Sequence, residues 1–460
     1  MFDDDPAGSL RLEGQVVDAE DHPVAGAIVT VSSHPPRTDT TGTDGGFNFD
    51  GLVARPYTLV AHGDKGVAGP VTAKLTAKSD PVVMRLRAAT KVTVSVTTSD
   101  GKSVDGATVE LRGVDHQTET TKQGKVVFAS VVPGGYQIAA WAPGLAHSTT
   151  WIQVGAGEAN AKLVLVMGAP VAGRVVDEQG KGVANARITY HGASDWNQQA
   201  DPRYDAVTSK SDGAFELAAM PAGTFRFVAA HPDYAPGTSK QITLDGKTPT
   251  NDLTITVPTG AVVRGHVIDS SKQPVVGARV RIGSGSRRQM SWEAPRQVYS
   301  DAKGDFEIRG LAKKALALVA MHESGASQLK DIDTTAGDVT GVELQIDVTG
   351  TIAGMVVDAA GTPIEGAQVS AGPNFREAKM DMTQFRLRGF PEELTDASGK
   401  FTLTGLAPGS YEVSAMRERA ATRGRRGASE GVVATTGTKD LKITLQAEGG
   451  VKGRVSLPDG

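Results

Sequence analysis

The chain of 460 residues contains no cysteine, which excludes disulfides, thiolate-bound metals and cysteine nucleophiles together. Aromatic residues are scarce: 4 Trp, 7 Tyr and 12 Phe make up 5% of the chain. No run of about 18 apolar residues occurs, so no segment has the length and character of a membrane-spanning helix. Neither sign of charge prevails. Lys and Arg number 48 against 52 Asp and Glu, a net of −4 with a sequence pI near 6.2, which excludes a strongly basic nucleic-acid binder. At 39% hydrophobic residues the chain is too apolar for a disordered one. Met1 to Pro6 is acidic with no apolar stretch behind it, unlike a signal peptide. The lack of cysteine leaves the compartment open, because disulfide-free proteins occur on both sides of a membrane.

Glycine, by contrast, is abundant at 55 residues, and its distribution is periodic. Gly14-Gln15-Val16-Val17-Asp18 recurs as Gly173-Arg174-Val175-Val176-Asp177, Gly265-His266-Val267-Ile268-Asp269 and Gly354-Met355-Val356-Val357-Asp358. The double gap after the first copy hides a degenerate one, Val92-Thr93-Val94-Ser95-Val96, which lacks the leading glycine. Three further signatures keep their order in each copy. A turn enters a strand at Gly26-Ala27-Ile28-Val29, Gly106-Ala107-Thr108-Val109, Asn185-Ala186-Arg187-Ile188, Gly277-Ala278-Arg279-Val280 and Gly366-Ala367-Gln368-Val369. A turn with aspartate and glycine precedes an aromatic strand, as in Asp396-Ala397-Ser398-Gly399 before Phe401, the residue placement of a type I turn. The last signature is Gly405-Leu406-Ala407-Pro408-Gly409-Ser410-Tyr411, echoed at Val132 to Tyr136 and Met220 to Phe225.

Between these markers the pattern alternates with period two, as in Leu253-Thr254-Ile255-Thr256-Val257, and no window sustains a helical period. About seven short strands per unit, with a turn signal about every ten residues, indicate β-sandwiches. Taken together, Gly-x-Val-x-Asp, Pro-x-x-Gly-Ala-x-Val, Thr-Asp-x-x-Gly-x-Phe and Gly-Leu-x-Pro-Gly-x-Tyr resemble the carboxypeptidase regulatory-like domain. That resemblance implies a transthyretin-like, seven-stranded Greek-key sandwich related to the collagen-adhesin B-type repeats of bacterial surface proteins. It also implies a cell-envelope or secreted setting, but no reaction, since function resides in sites.

The expected architecture is all-β: a linear array of five sandwiches at residues 8–87, 88–168, 169–258, 259–348 and 349–447, with 448–460 opening a sixth. Val451-Lys452-Gly453-Arg454-Val455 carries the first-strand pattern, so the natural chain is expected to continue. Joints such as Met167-Gly168-Ala169-Pro170 and Val257-Pro258-Thr259-Gly260 are short, which predicts a semi-rigid string rather than floppy tethers.

No catalytic constellation emerges, and no cofactor or metal is expected. His116-Gln117-Thr118-Glu119 has the His-x-x-Glu spacing of zinc carboxypeptidases, yet no enzyme-sized segment remains to supply a third ligand and a base; a polar loop is the expected role. Lys91 and Asn160 are the nearest approach to the isopeptide pair known in B-type repeats, but the promoting acid is not evident. Asp44, Asp212, Asp301 and Asp396 are expected to cap turns rather than bind calcium, which needs six or more oxygen ligands. Trp141 and Trp151 are read as core or joint residues.

One loop varies. From Val29 to Gly45 is 16 positions and from Val109 to Gly124 is 15, but Ile188 to Gly213 spans 25, Val280 to Gly304 spans 24 and Val369 to Gly399 spans 30. These insertions in units three to five hold Trp196 and Tyr204, then Trp292 and Tyr299, then Phe375, Phe385 and Phe390, accompanied by Arg287, Arg288, Arg296, Arg386 and Arg388. Aromatic and arginine side chains serve both carbohydrate stacking and protein hot spots. Such loops alternatively cover their own core or dock on the next unit. The sequence therefore points to a non-enzymatic spacer or adhesion scaffold of the cell surface, periplasm or extracellular space. Its expected binding residues are Trp196, Tyr204, Arg287, Arg288, Trp292, Phe375, Phe385, Arg386 and Phe390. The expected partner is another envelope or matrix protein, with carbohydrate, or service as the accessory region of a larger peptidase or machine, as alternatives.

Overall fold

A computed structural model describes residues 5–76, 79–113, 115–155, 157–192, 205–284, 296–374, 387–416 and 429–446, and every named element within them is a β-strand. In the first domain these are β1 (Leu10–Val17), β2 (Ile28–Val31), β3 (Arg37–Thr40), β4 (Gly46–Leu52), β5 (Pro56–Gly63), β6 (Gly66–Lys74) and β7 (Val82–Arg85). They form a three-stranded sheet in the order β4-β1-β7 and a four-stranded sheet in the order β3-β2-β5-β6. Alternate residues of both sheets point inward, where Val16, Val29, Phe47, Phe49, Tyr57, Leu59 and Met84 form the core. The second domain (Thr90–Thr98 to Glu158–Leu165) and the fifth (Gly350–Asp358 to Leu441–Leu445) repeat the same two sheets with seven strands. In the third and fourth domains the sixth strand is divided into two short segments, Gly237–Thr238 with Ile242–Leu244 and Gly325–Ser327 with Lys330–Asp333, so eight strands are named where seven are expected.

The first strand pairs antiparallel with the fourth but parallel with the last: Val16 lies opposite Met84, Val175 opposite Ile255 and Val356 opposite Ile443. This parallel approach explains the leading glycine of the repeat. A Cβ on Gly14 would lie 2.1 Å from the Val82 carbonyl oxygen of the last strand, and one on Gly354 would lie 2.0 Å from that of Leu441. The degenerate copy has Val94 at this place. There the parallel ladder is continuous from Lys91–Glu158 to Thr98–Leu165, beginning three residues before Val94, whereas in the first and fifth domains it begins at the glycine itself.

A buried hydroxyl recurs in all five domains. Thr41 Oγ1 accepts a hydrogen bond from the Ala27 amide (2.8 Å) and donates to the Val24 carbonyl (2.7 Å). Thr121 does the same for Ala107 and Val104, Ser209 for Ala186 and Val183, Ser300 for Ala278 and Val275, and Thr395 for Ala367 and Ile364. All five residues are buried. Each clamp ties the end of the variable loop to the turn that opens the second strand. The aspartates that follow cap their own turns as expected: Asp301 Oδ1 accepts from the Lys303 and Asp305 amides, and Asp396 Oδ1 from those of Ser398 and Lys400.

The tyrosine that ends the last signature is anchored similarly. Tyr57, Tyr136 and Tyr411 donate their hydroxyls to the carbonyls of Val53, Val132 and Ala407, four residues back, at 3.1, 2.8 and 2.9 Å. Burial pushes the Tyr57 hydroxyl up to about 12, so it remains a donor at any physiological pH.

Ser300→Ala is expected to leave the Ala278 amide and Val275 carbonyl unpaired, a loss of about 1–3 kcal/mol. Hydrogen exchange at Ala278 checks this, with roughly tenfold or greater acceleration expected in Ser300→Ala and little change in Ser300→Thr. Tyr136→Phe is expected to cost about 0.5–1.5 kcal/mol, read from the unfolding transition of the second domain under denaturant.

Candidate functional site: the joints between domains

Of the binding residues named from the sequence, Trp196, Tyr204, Arg287, Arg288, Trp292, Phe375, Phe385 and Arg386 lie outside the described residues. Phe390 is described and is 50% exposed. The start of a sixth unit, residues 448–460, also falls outside. Trp151, read from the sequence as a core or joint residue, is 65% exposed; it projects from the outer face of strand Leu145–Val154, where alternation alone does not distinguish the two faces. Trp141 is half-buried with its ring 5.7 Å from that of His147.

His116 and Glu119 lie in a strand, His116–Thr120, not in a loop. Three residues apart on a strand, they point to opposite faces and have no common metal position. Lys91 and Asn160 are both exposed, and Lys91 Nζ is 3.5 Å from Glu158, which is not a buried crosslink pair. Asp18, Glu20 and His22 bring ligand atoms within 4.8 Å of one another, yet Asp18 Oδ1 is already the acceptor for the Glu20 and His22 amides. Asp177, Asp269 and Asp358 hold the same turn in their own domains, so the cluster is the first domain's copy of a structural turn.

The side chains that converge do so at the joints. In every domain the fourth strand bulges just before its end, where two of its residues oppose one of the first strand. The bulge residue and the foot of the variable loop meet the hairpin between the fifth and sixth strands of the preceding domain. Between the first and second domains, His62 Nε2 lies 3.0 Å from Asp115 Oδ2 and His62 Nδ1 lies 3.4 Å from Ser130 Oγ. Gln117 donates to Asp115 Oδ2 and to the Ser130 carbonyl, while Val60, Val67 and Val132 form a small apolar plug. Between the second and third, Asp205 Oδ1 receives Arg112 Nη2 at 2.8 Å and lies 3.3 Å from His147 Nε2, and Arg112 Nε also pairs with Glu110 at 2.7 Å. Ala146 and the bulge residue Ala219 close on Gly168 there.

Between the third and fourth, Arg296 spreads its guanidinium over main-chain oxygens. Nη1 donates to Arg309 and Pro232, at 2.6 and 3.1 Å, and Nη2 to His231 and Tyr234, at 3.3 and 3.2 Å. The bulge residue Gly310 is indispensable, since its Cβ would lie 2.3 Å from the Pro232 oxygen at a φ of 63°. The chain forms two compact units, residues 1–322 with 328–345 and residues 323–327 with 346–460, and the same arrangement recurs within the second. Arg388 Nη2 donates to the Ser327 carbonyl, and bulge residue Gly405 lies against Gly325 and Ala326.

Burial shapes the charges of these joints. Burial alone would raise Asp115, but hydrogen bonds from His62 and Gln117 hold its carboxyl below the usual range. Burial pushes His147 below the ordinary histidine value; Asp205 opposes this and Arg112 adds to it. Burial also lowers Arg388, with Tyr411 and Asp347 pulling the other way. The loop feet thus dock on the preceding domain. Arg296 and Arg388 were visible among the basic residues of the insertions, but nothing in the sequence marked Asp115, Gln117 or Asp205.

Serial β-sandwich modules, keyed to one another within the first four domains, define the class of protein. A model of the carboxypeptidase regulatory-like domain matches residues 11–84, 91–167, 170–258, 262–347 and 351–446, and the chain belongs to that family. No curated protein matches it. Among solved structures, the chain is similar to the Bacillus anthracis TIE protein, with 12% identity, 73% of this chain and 67% of that one covered, and a TM-score of 0.19. The streptococcal ancillary pilin has 14% identity, coverage of 61% and 100%, and a TM-score of 0.21. Two B repeat units of the Staphylococcus aureus collagen-binding protein have 11% identity, coverage of 73% and 99%, and a TM-score of 0.16. A shared placement of domains does not follow at such scores.

Because burial lowers the affinity of His147 for a proton relative to the unfolded chain, the folded state binds fewer protons than the unfolded one, and its stability falls as pH drops below about 6.5. Exchange of the Gly168 amide, which donates to Gly144, is expected to accelerate between pH 7.5 and 5.5 beyond its intrinsic pH dependence. His147→Gln is expected to flatten that response, and an unchanged slope would count against it.

Proposed function

We propose that the chain is a non-enzymatic, semi-rigid spacer or adhesion scaffold of the cell envelope or extracellular space, with protein recognition by the long loops of its third to fifth domains. The observation that carries this reading is the keyed joint. A loop-foot side chain and a strand bulge grip the preceding hairpin at the first three domain boundaries, and such contacts restrict the bending and twisting that short linkers alone would allow. Enzymes need a preorganised set of acid, base or metal groups; the titratable residues that converge here are committed to turns and joints. Among the described residues, no helix is long and apolar enough to cross a membrane. The loops support recognition because aromatic and arginine side chains gather where the repeats diverge, and exposed Phe390 stands at the foot of one such loop.

The absence of cysteine makes the spacer reading directly measurable. With spin labels on Asn251→Cys and Val276→Cys, both exposed and on either side of the third joint, a single narrow distance distribution is expected from pulsed electron paramagnetic resonance. Arg296→Ala is expected to broaden it. A broad distribution in the parent chain would overturn the semi-rigid reading. Metal-dependent peptidase activity lost on changing His116 would overturn the non-enzymatic one.

A further inference from the structure

The first domain carries the same docking corner, and among the described residues no hairpin is seated on it; only the Gly8 amide reaches it, donating to the Gly51 carbonyl at 2.9 Å. Arg37 lies opposite Val31, as Arg296 lies opposite Ile282 in the fourth domain. Its Nη1 donates to the carbonyl of Asp50 at 2.7 Å, just as Arg296 Nη1 donates to that of Arg309. Asp50 and Arg309 hold the same place, one residue before the bulge glycines Gly51 and Gly310, whose φ angles are 69° and 63°. There the likeness ends. A Cβ on Gly310 would collide with the oxygens of Pro232 and Tyr234, whereas one on Gly51 would meet only the Gly8 oxygen, at 3.8 Å. Nη2 of Arg296 is taken by the His231 and Tyr234 carbonyls. Arg37 is exposed, and among the described residues its Nη2 makes no hydrogen bond; its guanidinium otherwise lies 5.8 Å from the Phe49 ring centre.

We propose that Arg37 and Gly51 form an open half-joint that receives the fifth-to-sixth-strand hairpin of another carboxypeptidase regulatory-like sandwich, through two or three main-chain carbonyls of that hairpin. The occupant follows from the filled joints, in each of which this corner meets that hairpin; in the second joint Asp205 also takes Arg112 from the end of the second strand. Its chemistry follows from the key. An arginine in this position serves carbonyls in the fourth domain, while the aspartate of the third domain serves an arginine and a histidine. The open corner therefore suits a hairpin of the His231–Tyr234 kind and disfavours one that presents a cation, such as Arg112 beside His147. Its glycine preserves the clearance that a seated hairpin needs, at a positive φ that costs other residues about 1 kcal/mol or more.

The test places an additional copy of residues 169–260 directly before Leu10 of the full chain, so that the copied Gly260 meets Leu10 as it meets Ala261 in the native joint. Spin labels go on Asn251→Cys of the added copy and on Ala25→Cys, the first domain's equivalent of Val276. The expected result is a narrow distance distribution matching that of the native third joint, broadened by Arg37→Ala and by Gly51→Asn. Asparagine tolerates the positive φ and fills the clearance, which separates loss of docking from loss of fold. A broad distribution with Arg37 and Gly51 intact, or a narrow one that survives both substitutions, overturns the proposal.

Discussion

The structure rests on one hydroxyl per domain. Thr41, Thr121, Ser209, Ser300 and Thr395 each close a buried two-bond bridge between the end of the variable loop and the turn before the second strand. A buried amide and carbonyl without that hydroxyl would be left unpaired, and the cost of unmet burial exceeds the net gain of a typical exposed hydrogen bond. Because the bridge fixes where the loop returns, the loop's length is free to change without disturbing the sheets. Loop-closure entropy grows only slowly with length, so extending it from 16 to 30 positions is cheap once its end is clamped.

The clamp also sets the joint. With the loop's end fixed, its foot always arises beside the fourth-strand bulge, and a side chain from the foot reaches the same hairpin of the preceding domain. Position is constant while chemistry is not. The second joint buries Arg112 between Glu110 and Asp205, and burying charges costs desolvation that a good partner only partly recovers. The third joint instead pairs Arg296 with neutral carbonyls, which saturates the guanidinium without a second charge to desolvate. Different chemistry in one geometry gives each boundary its own complement, since an aspartate foot set against carbonyl oxygens would be repelled.

Much of the fold was legible because turns and strand entries demand particular residues. Glycines at turns, the period-two alternation and the tyrosine signature recur visibly, and five repeats amplify each signal. In the fourth and fifth domains the clamp hydroxyl stands directly before the turn aspartate, as Ser300-Asp301 and Thr395-Asp396, but serine and threonine are so common before turns that their burial is not readable. The parallel pairing of the last strand was not readable either, since alternation reports the buried face and says nothing of direction. The joints were hidden for a further reason. Their residues are a histidine and an aspartate in one place, and an arginine and several carbonyls in another, so no shared spelling marks them. Trp151 shows the same limit from the other side: a tryptophan in a strand suggests burial, and only the pleat decides that it faces solvent.

The bulge residue shows how a joint and a strand constrain each other. The bulge lets the fourth strand twist away from the first near its end, and whatever sits there touches the preceding domain. Ser130 and Ala219 serve where the neighbouring hairpin stands off enough for a side chain. Gly310, at a φ of 63°, serves where it comes closer, since a Cβ there would lie 2.3 Å from the Pro232 oxygen. A glycine in a strand ordinarily weakens it, so its presence at this point is better explained by the approach of a neighbour than by the sandwich's own needs. The second domain supports this separation of causes. It lacks the first-strand glycine and carries serine at the bulge, yet its sheets have the same order as those of the first and fifth domains. The sandwich does not require glycine at the bulge; at Gly310 the closely seated neighbour does.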